Sequence, residues 1–511
     1  MMPRSLVAGR AALAAFLAGF FGACSTSEPT ADDAIAFEHV TVVDVVDGAL
    51  TADQTVVIRG NRIAAVGPSE QIEVLSGARV VDARGQFVIP GLWDMHVHVI
   101  DPDTPGGLDV TLPLFIANGV TGIRDLGSSD LDSILALREA VRAGERIGPR
   151  MQLAGKLIDG SPVVFPPDAV LARTPEDATR LVDSLVARGV DIIKAYEMLQ
   201  RDVFVAVVGR ARQHGRPVVA HVPLVIDAAE TSALGLLSLE HLRNIELACS
   251  SEADELRAAR TERLAVEAAR PDADGFAFDW SLGYGPGALV RSSIHREHRP
   301  RALATHDPTR CRTLLAEFAR NGTWQDPTLF LNQRGSFRVD TMSSVRATSR
   351  FVPPATWQLW EADARAAATT MTPEAQVDLE RQGRWYLDLV RAMRDAGVGL
   401  LAGTDVSNPY MVPGFSLHEE LGMLVRAGLT PLEALQAATL NPALSMAATD
   451  SLGTVEPGRV ADLVLLDADP LSDIGNVRRI DAVVLNGRYF DRPALDAMLA
   501  EVERAVAGAG P

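Results

Sequence analysis

Lysine is nearly absent from this chain. Its 511 residues include 48 lysines and arginines together, yet only Lys156 and Lys194 are lysines. Arginine has taken the generic cationic positions, so a lysine at the end of an apolar run points to a need for an amine. An excess of positive charge is also missing, since the formal net charge is −18. An acidic chain with no basic, aromatic-interleaved patch repels nucleic acid, which excludes nucleic-acid partners. Cysteine is scarce: Cys24, Cys249 and Cys311 are all there are. Internal repeats and low-complexity tracts are lacking. The apolar run at residues 11–23 is too short to span a membrane comfortably as a permanent helix. Apolar residues in general are abundant, at 47%, enough for a sizeable core and too many for general disorder.

That apolar run follows Arg4 and Arg10 and ends in Phe21-Gly22-Ala23-Cys24-Ser25. Small residues before a cysteine resemble a bacterial lipoprotein cleavage site, with Cys24 as the lipidated first residue. Phe21 departs from the leucine more usual there, and an ordinary secretory signal is the alternative. Either way residues 1–23 read as a signal peptide and 24–34 as a tether. The expected location is the periplasm or the outer membrane, held there only through lipid on Cys24. Export permits disulfides. Cys249 and Cys311 then form either a bridge or two free thiols.

Residues 35–89 read as short β-strands, with β-branched runs such as Thr55-Val56-Val57-Ile58 and a turn at Arg59-Gly60-Asn61-Arg62. After Pro90 short apolar strands alternate with helices. Strands are expected near 92–98, 119–125, 151–154, 191–195, 217–221, 236–241, 323–329 and 398–403. A helix is expected over 174–187, with Thr174 as cap, Pro175 in the first turn and acids after it. Eight strands with intervening helices favour an α/β fold of the (β/α)₈ TIM-barrel kind over 90–450, although an open doubly wound sheet alternates in the same way. The connection after His241 is far longer than a normal βα unit and reads as a helical insertion at about 250–320, its middle (272–287) rich in Gly, Asp and aromatics. A second helical stretch is expected at 372–396. β character returns at 451–490, and these strands are expected to join 35–89 in a small composite β-sandwich domain, followed by a C-terminal helix or tail at 491–511.

The ends of the barrel strands carry the chemistry, because functional side chains of such folds sit at the C-terminal ends of strands. His96 and His98 are two apart, so in a strand they project from one face. Taken alone, the pair could equally be two histidines in a buried strand. Lys194, His221, His241 and Asp405 each follow an apolar run in the same way. Imidazole and carboxylate suit zinc and similar ions. Four histidines and an aspartate exceed the needs of one open tetrahedral ion and suit two ions sharing a bridging group. A buried lysine has a lowered pKa and can take up carbon dioxide as a carbamate, whose two oxygens could bridge the ions. A snorkelling, salt-bridged or Schiff-base lysine is the alternative.

The set His96-Val97-His98, Lys194, His221, His241 and Asp405 resembles the amidohydrolase superfamily. Val88-Ile89-Pro90-Gly91-Leu92-Trp93-Asp94, Gly119-Val120-Thr121-Gly122-Ile123-Arg124-Asp125 and Gly453-Thr454-Val455-Glu456-Pro457-Gly458 are similar to its imidazolonepropionase- and dipeptidase-related branch. The resemblance implies that His96, His98 and Asp405 hold one ion and His221 and His241 a second, zinc being the expected metal. It further implies that N6-carboxylated Lys194 and a hydroxide bridge the ions, with Asp405 as acid–base. Tyr196, two residues after Lys194, is a substrate candidate, and so is His418, for which a supporting role and surface exposure compete. His295, His298 and His306 read as solvated. Asp94, Arg124 and Asp125 read as structural ion pairs. His39 and His214 carry no signal.

The implied activity is metal-dependent hydrolysis of an amide bond in a dipeptide, a peptide-like substrate or an N-acyl amino acid. A cyclic amide or lactone hydrolase, or a deaminase, is the alternative within enzymes. Another class is an exported binding protein without turnover. Self-association is left open.

Overall fold

The computed structural model describes residues 34–74, 76–100, 107–270, 273, 286–334 and 338–508. Cys24, the signal reading and nearly all of the tether lie outside these residues.

The two ends of the chain meet in one sheet. Its strands run in the order Arg488–Asp491, Ile480–Leu485, Leu463–Leu466, Phe87–Pro90, Ala34–Val43, Leu50–Arg59, Arg62–Pro68, with Arg79–Asp82 also paired to Ala34–Val43. The junction is antiparallel: Leu463 lies opposite Pro90 and Leu466 opposite Phe87. Phe37, Ile58 and Val88 from the first end share a buried cluster with Leu463, Leu465 and Val484 from the second. An alternating strand buries one face, and here each end supplies what covers the other.

After Pro90 the strands become parallel. Leu92–Val97, Val120–Asp125 and Arg150–Leu153 form one ladder. Ala169–Leu171, Leu157–Asp159, Ile193–Ala195, Val218–Ala220, Ser238–Glu240 and Trp324–Asp326 form another, in that order. Backbone hydrogen bonds cross both seams. Asp191 N donates to Leu153 O at 2.8 Å, Gln325 N to Gly399 O at 2.9 Å, and Met95 N to Ala402 O at 2.9 Å. Of the strand expected at 398–403 only an isolated bridge is present, Gln325 to Leu400. The backbone leaves the extended region soon afterwards, at Asp405 (φ 58°). The strand expected over 323–329 likewise ends at Asp326, because Thr328 turns left-handed (φ 41°) and the helix Leu329–Asn332 begins. Gly122 allows the close approach of the first two barrel strands: a Cβ there would lie 2.1 Å from the Trp93 ring.

The helix Pro175–Arg188 matches its sequence signals. Thr174 and Asp177 form a capping box, and Gly189 closes it at φ 90°. The long connection after His241 holds the helices Ala253–Ala268, Pro286–Ala304 and Pro308–Asn321. Most of its Gly- and Asp-rich middle lies outside the described residues. Cys249 and Cys311 are disulfide-bonded, with Cα atoms 4.4 Å apart. Ala288 and Ile294 pack with Tyr196, Met198 and Leu224, so the insertion docks on the strand that carries Lys194. The sequence reading missed the helix Pro354–Thr370, which has no broad apolar stripe and buries only Trp357 and Trp360. The expected 372–396 helix spans Pro373–Asp395. The C-terminal helix spans Arg492–Gly508. Among the described residues no helix is long and apolar enough to cross a membrane.

Candidate metal centre

The strand ends bring the expected imidazoles together. The His96 ring centroid lies 5.5 Å from that of His98 and 4.3 Å from that of His241, which is 4.7 Å from His221. Asp405 reaches in from the segment after residue 403. Its Oδ1 is 3.1 Å from His98 Nε2 and 3.5 Å from His96 Nε2, and its Oδ2 is 3.8 Å from His241 Nε2. His241 (φ 61°) and Asp405 (φ 58°) both occupy the left-handed region, a cost that tends to collect at working sites.

Each imidazole is oriented from behind. His98 Nδ1 donates to Gly127 O at 2.9 Å. His96 Nδ1 lies 2.8 Å from Glu240 Oε2, and His221 Nδ1 lies 2.9 Å from Glu197 Oε1. His241 Nδ1 meets Thr328 Oγ1 at 2.8 Å. Carbonyls and carboxylates only accept, so Nδ1 carries the hydrogen in His96, His98 and His221 and Nε2 keeps its lone pair. A metal ligand needs that tautomer. Burial, reinforced by Lys194, pushes His96 down to about 4 and His221 to about 3. The rings are therefore neutral and able to coordinate.

Lys194 is 1% exposed and its Nζ has no hydrogen-bond partner among the described residues. Burial lowers its pKa to about 8 against the opposing pull of Glu240. Burial raises the pKa of Asp405, but His241, His96 and His98 together hold it well below the usual carboxylate range. A buried amine without a partner, beside neutral imidazoles and an ionised carboxylate, is a donor set missing one electrophile. The residues fit divalent metal, and the ligand atoms of His96, His98 and Asp405 lie within 4.8 Å of one another.

Several neighbours were not legible in the sequence. Arg124 is an ion-pair residue, as read, and its partners lie far off in sequence: its Nη2 lies 3.1 Å from Glu240 and 3.4 Å from Asp326, and its Nε donates to Met95 O at 2.6 Å. Asp94 accepts from Thr404 Oγ1 at 2.7 Å and Thr404 N at 3.0 Å, and Asp125 accepts from Val99 N at 2.8 Å. Both aspartates therefore brace loops next to the imidazoles rather than pairing with an arginine. Asp326 ends its strand just as the ligand candidates end theirs, a signal that was available and unused. A Cβ at Gly403 would lie 2.4 Å from Asp326 Oδ2, so glycine permits that approach.

The remaining candidates separate. The Tyr196 ring lies 4.2 Å from the His221 ring, at the cluster. His418 is buried, not exposed, on the helix Phe415–Ala427, where burial and Arg478 push it down to about 3. His295 and His298, expected to be solvated, are buried because their helix packs inward. His295 Nε2 meets Glu197 Oε2 at 3.4 Å. His306 stands edge-on to Trp385, with centroids 6.2 Å apart.

Residues 351–489 match the model of the Amidohydrolase family. Ochratoxinase from Aspergillus niger is 32% identical over 130 residues, 24% of this chain and 26% of its own, so the match spans about a quarter of that curated relative. The structure of a bottromycin amidohydrolase superposes with a TM-score of 0.68 at 26% identity, over 93% of this chain and 91% of its own. A Xaa-Pro dipeptidase with bound methionine gives a TM-score of 0.61 at 18% identity, over 90% and 100%. With a family match in its C-terminal part and a related architecture along nearly its whole length, the chain is similar to members of the amidohydrolase superfamily.

Proposed function

We propose that this protein is a metal-dependent hydrolase of amide bonds in dipeptides, peptide-like compounds or N-acyl amino acids. His96, His98 and Asp405 would hold one divalent ion and His221 and His241 a second, with Lys194 spanning both as N6-carboxylysine. The observation that carries this reading is the Lys194 amine, buried without a hydrogen-bond partner among the described residues. In its neutral form Nζ attacks carbon dioxide, forms the N–C bond and releases a proton, which converts an unsatisfied donor into a two-oxygen ligand. Two such ions, when bound, make a nucleophile of water at neutral pH and polarise the scissile carbonyl. Asp405, ionised, takes up the proton at Oδ2 and returns it to the departing amine nitrogen. Glu240 and Glu197 hold His96 and His221 in the ligating tautomer. The same reading takes the two parallel ladders as one eight-stranded barrel, supported by the backbone hydrogen bonds across both seams. It also takes the protein as exported and attached through lipid on Cys24, supported by the sequence of the first residues.

By their names, one of these similar structures is an amidohydrolase and the other a dipeptidase. The test is a panel of dipeptides, N-acyl amino acids, cyclic amides, lactones and aminated heterocycles on metal-loaded protein, with metal counted by mass spectrometry. The expected result is two zinc-like ions per chain and cleavage of the linear amides. Activity on rings alone would move the enzyme to a cyclic amidohydrolase or deaminase. No metal and no turnover would leave a binding protein.

A further inference from the structure

The insertion reaches the candidate metal centre along one side of one helix. On Pro286–Ala304, Gly287, Arg291 and His295 recur every four residues and so share a face. Gly287 presses that face onto a loop: a Cβ there would lie 2.3 Å from Pro162 O, and Gly287 N donates to Val163 O at 3.2 Å. One turn on, Arg291 Nε lies 3.9 Å from Glu197 Oε2. A further turn on, His295 Nε2 lies 3.4 Å from the same oxygen. The other oxygen, Glu197 Oε1, meets His221 Nδ1 at 2.9 Å. The helix and the imidazole thus hold the two oxygens of one fully buried carboxylate.

The other imidazoles are held without the insertion. Gly127 O, Glu240 and Thr328 stand behind His98, His96 and His241, and all three lie on parallel strands or in the turns that follow them. Glu240 in turn takes Arg124 Nη2 at 3.1 Å and Ser238 Oγ at 2.5 Å, both from parallel strands. Glu197 does for His221 what Glu240 does for His96, but the donor to its second oxygen comes from a helix 98 positions later. A buried carboxylate oxygen without a donor is costly, so without that helix Glu197 gains by turning away from His221. His295 itself carries a cost. Its Nδ1 is buried with no hydrogen-bond partner among the described residues, and an apolar side chain in its place would avoid that. The contact with Glu197 is what a histidine supplies there.

We propose that His295 is a positioning residue for the second ion: through Glu197 it keeps His221 turned toward that ion, so that the docked insertion decides whether the second site fills, while the first site fills without it. This rests on the two-ion reading above and separates the ions by what supports each. His295 acts by donating Nε2–H to Glu197 Oε2. That leaves Oε1 to accept from His221 Nδ1 and the His221 Nε2 lone pair free for metal.

The test is calorimetric titration of zinc, in bicarbonate buffer, into metal-stripped wild type, His295→Ala, His295→Gln and Glu197→Gln, with urea midpoints measured alongside. Wild type should show two sites. His295→Ala should weaken one of them by about 10–100-fold, the scale for losing a partner behind a ligating histidine, and leave the other unchanged. Glu197→Gln should weaken the same site. His295→Gln, whose side-chain amide still donates to Glu197, should recover most of the loss. Two ions in wild type with both affinities unchanged in His295→Ala overturns the positioning role and leaves the hydrolase reading standing. Equal weakening of both sites with a lowered urea midpoint also overturns it, because a loosened fold does the same. Fewer than two ions in wild type sinks the two-ion reading and the positioning role with it.

Discussion

Glu240 Oε2 lies 2.8 Å from His96 Nδ1, and the same carboxylate receives Arg124 Nη2 at 3.2 Å, all three side chains being fully buried. One acidic group thus sets the tautomer of a candidate ligand and neutralises a core arginine. Glu240→Gln should weaken metal binding by about 10–100-fold, as loss of a partner behind a ligating histidine does. Arg124→Met should lower stability by about 3–5 kcal/mol, because it strands Glu240 and Asp326 without their cation. Metal titration by calorimetry and urea unfolding check the two effects. Equal loss of stability without loss of metal in Glu240→Gln would reject the tautomer role.

Lys194→Ala should lose metal and activity together. Short carboxylic acids added with metal should restore part of both, since they supply the two oxygens the carbamate is assigned. Metal content and turnover, measured with and without added acetate, decide it. Full activity in the unsupplemented variant would remove the bridging role.

Glu420 gives stability a pH slope. It accepts from Leu329 N at 2.8 Å and Phe330 N at 2.7 Å, and burial raises its pKa from 4.5 to about 8. A raised folded-state pKa means that the folded protein binds the proton more tightly. Its contribution is therefore complete below pH 4.5 and lost as pH rises through about 8. Within that window the loss is about 1.4 kcal/mol per pH unit. Glu420→Gln should remove this component, so the stability gap between wild type and variant narrows from pH 5 to pH 8. Urea midpoints at intermediate pH values test it, and a constant gap would refute the assignment.

Cys249 and Cys311 are 62 residues apart in sequence, so their bond closes a long loop in the unfolded chain. The double variant Cys249→Ser, Cys311→Ser should be about 2–4 kcal/mol less stable. It should also unfold with the same midpoint in oxidising and reducing buffer, whereas wild type loses stability on reduction. An unchanged wild-type midpoint under reductant would show that the bridge does not stabilise the fold.

The sequence by itself determined the ligand candidates and the alternation that places them. His96 and His98 follow from a two-residue period, Lys194 from the scarcity of lysine, and His221, His241 and Asp405 from polar residues at the ends of apolar runs. These signals are local, because strand geometry repeats over a few residues. Tertiary structure alone decided what stands behind and around them. Glu240 meets His96 across 144 positions, and Arg291 meets Tyr196 across 95. His295 reads as a surface residue in its own segment and His418 as either that or a supporting residue, and both become buried only when their helices dock. A side chain's partner and its burial depend on which elements pack together, and no periodicity within one element carries that information.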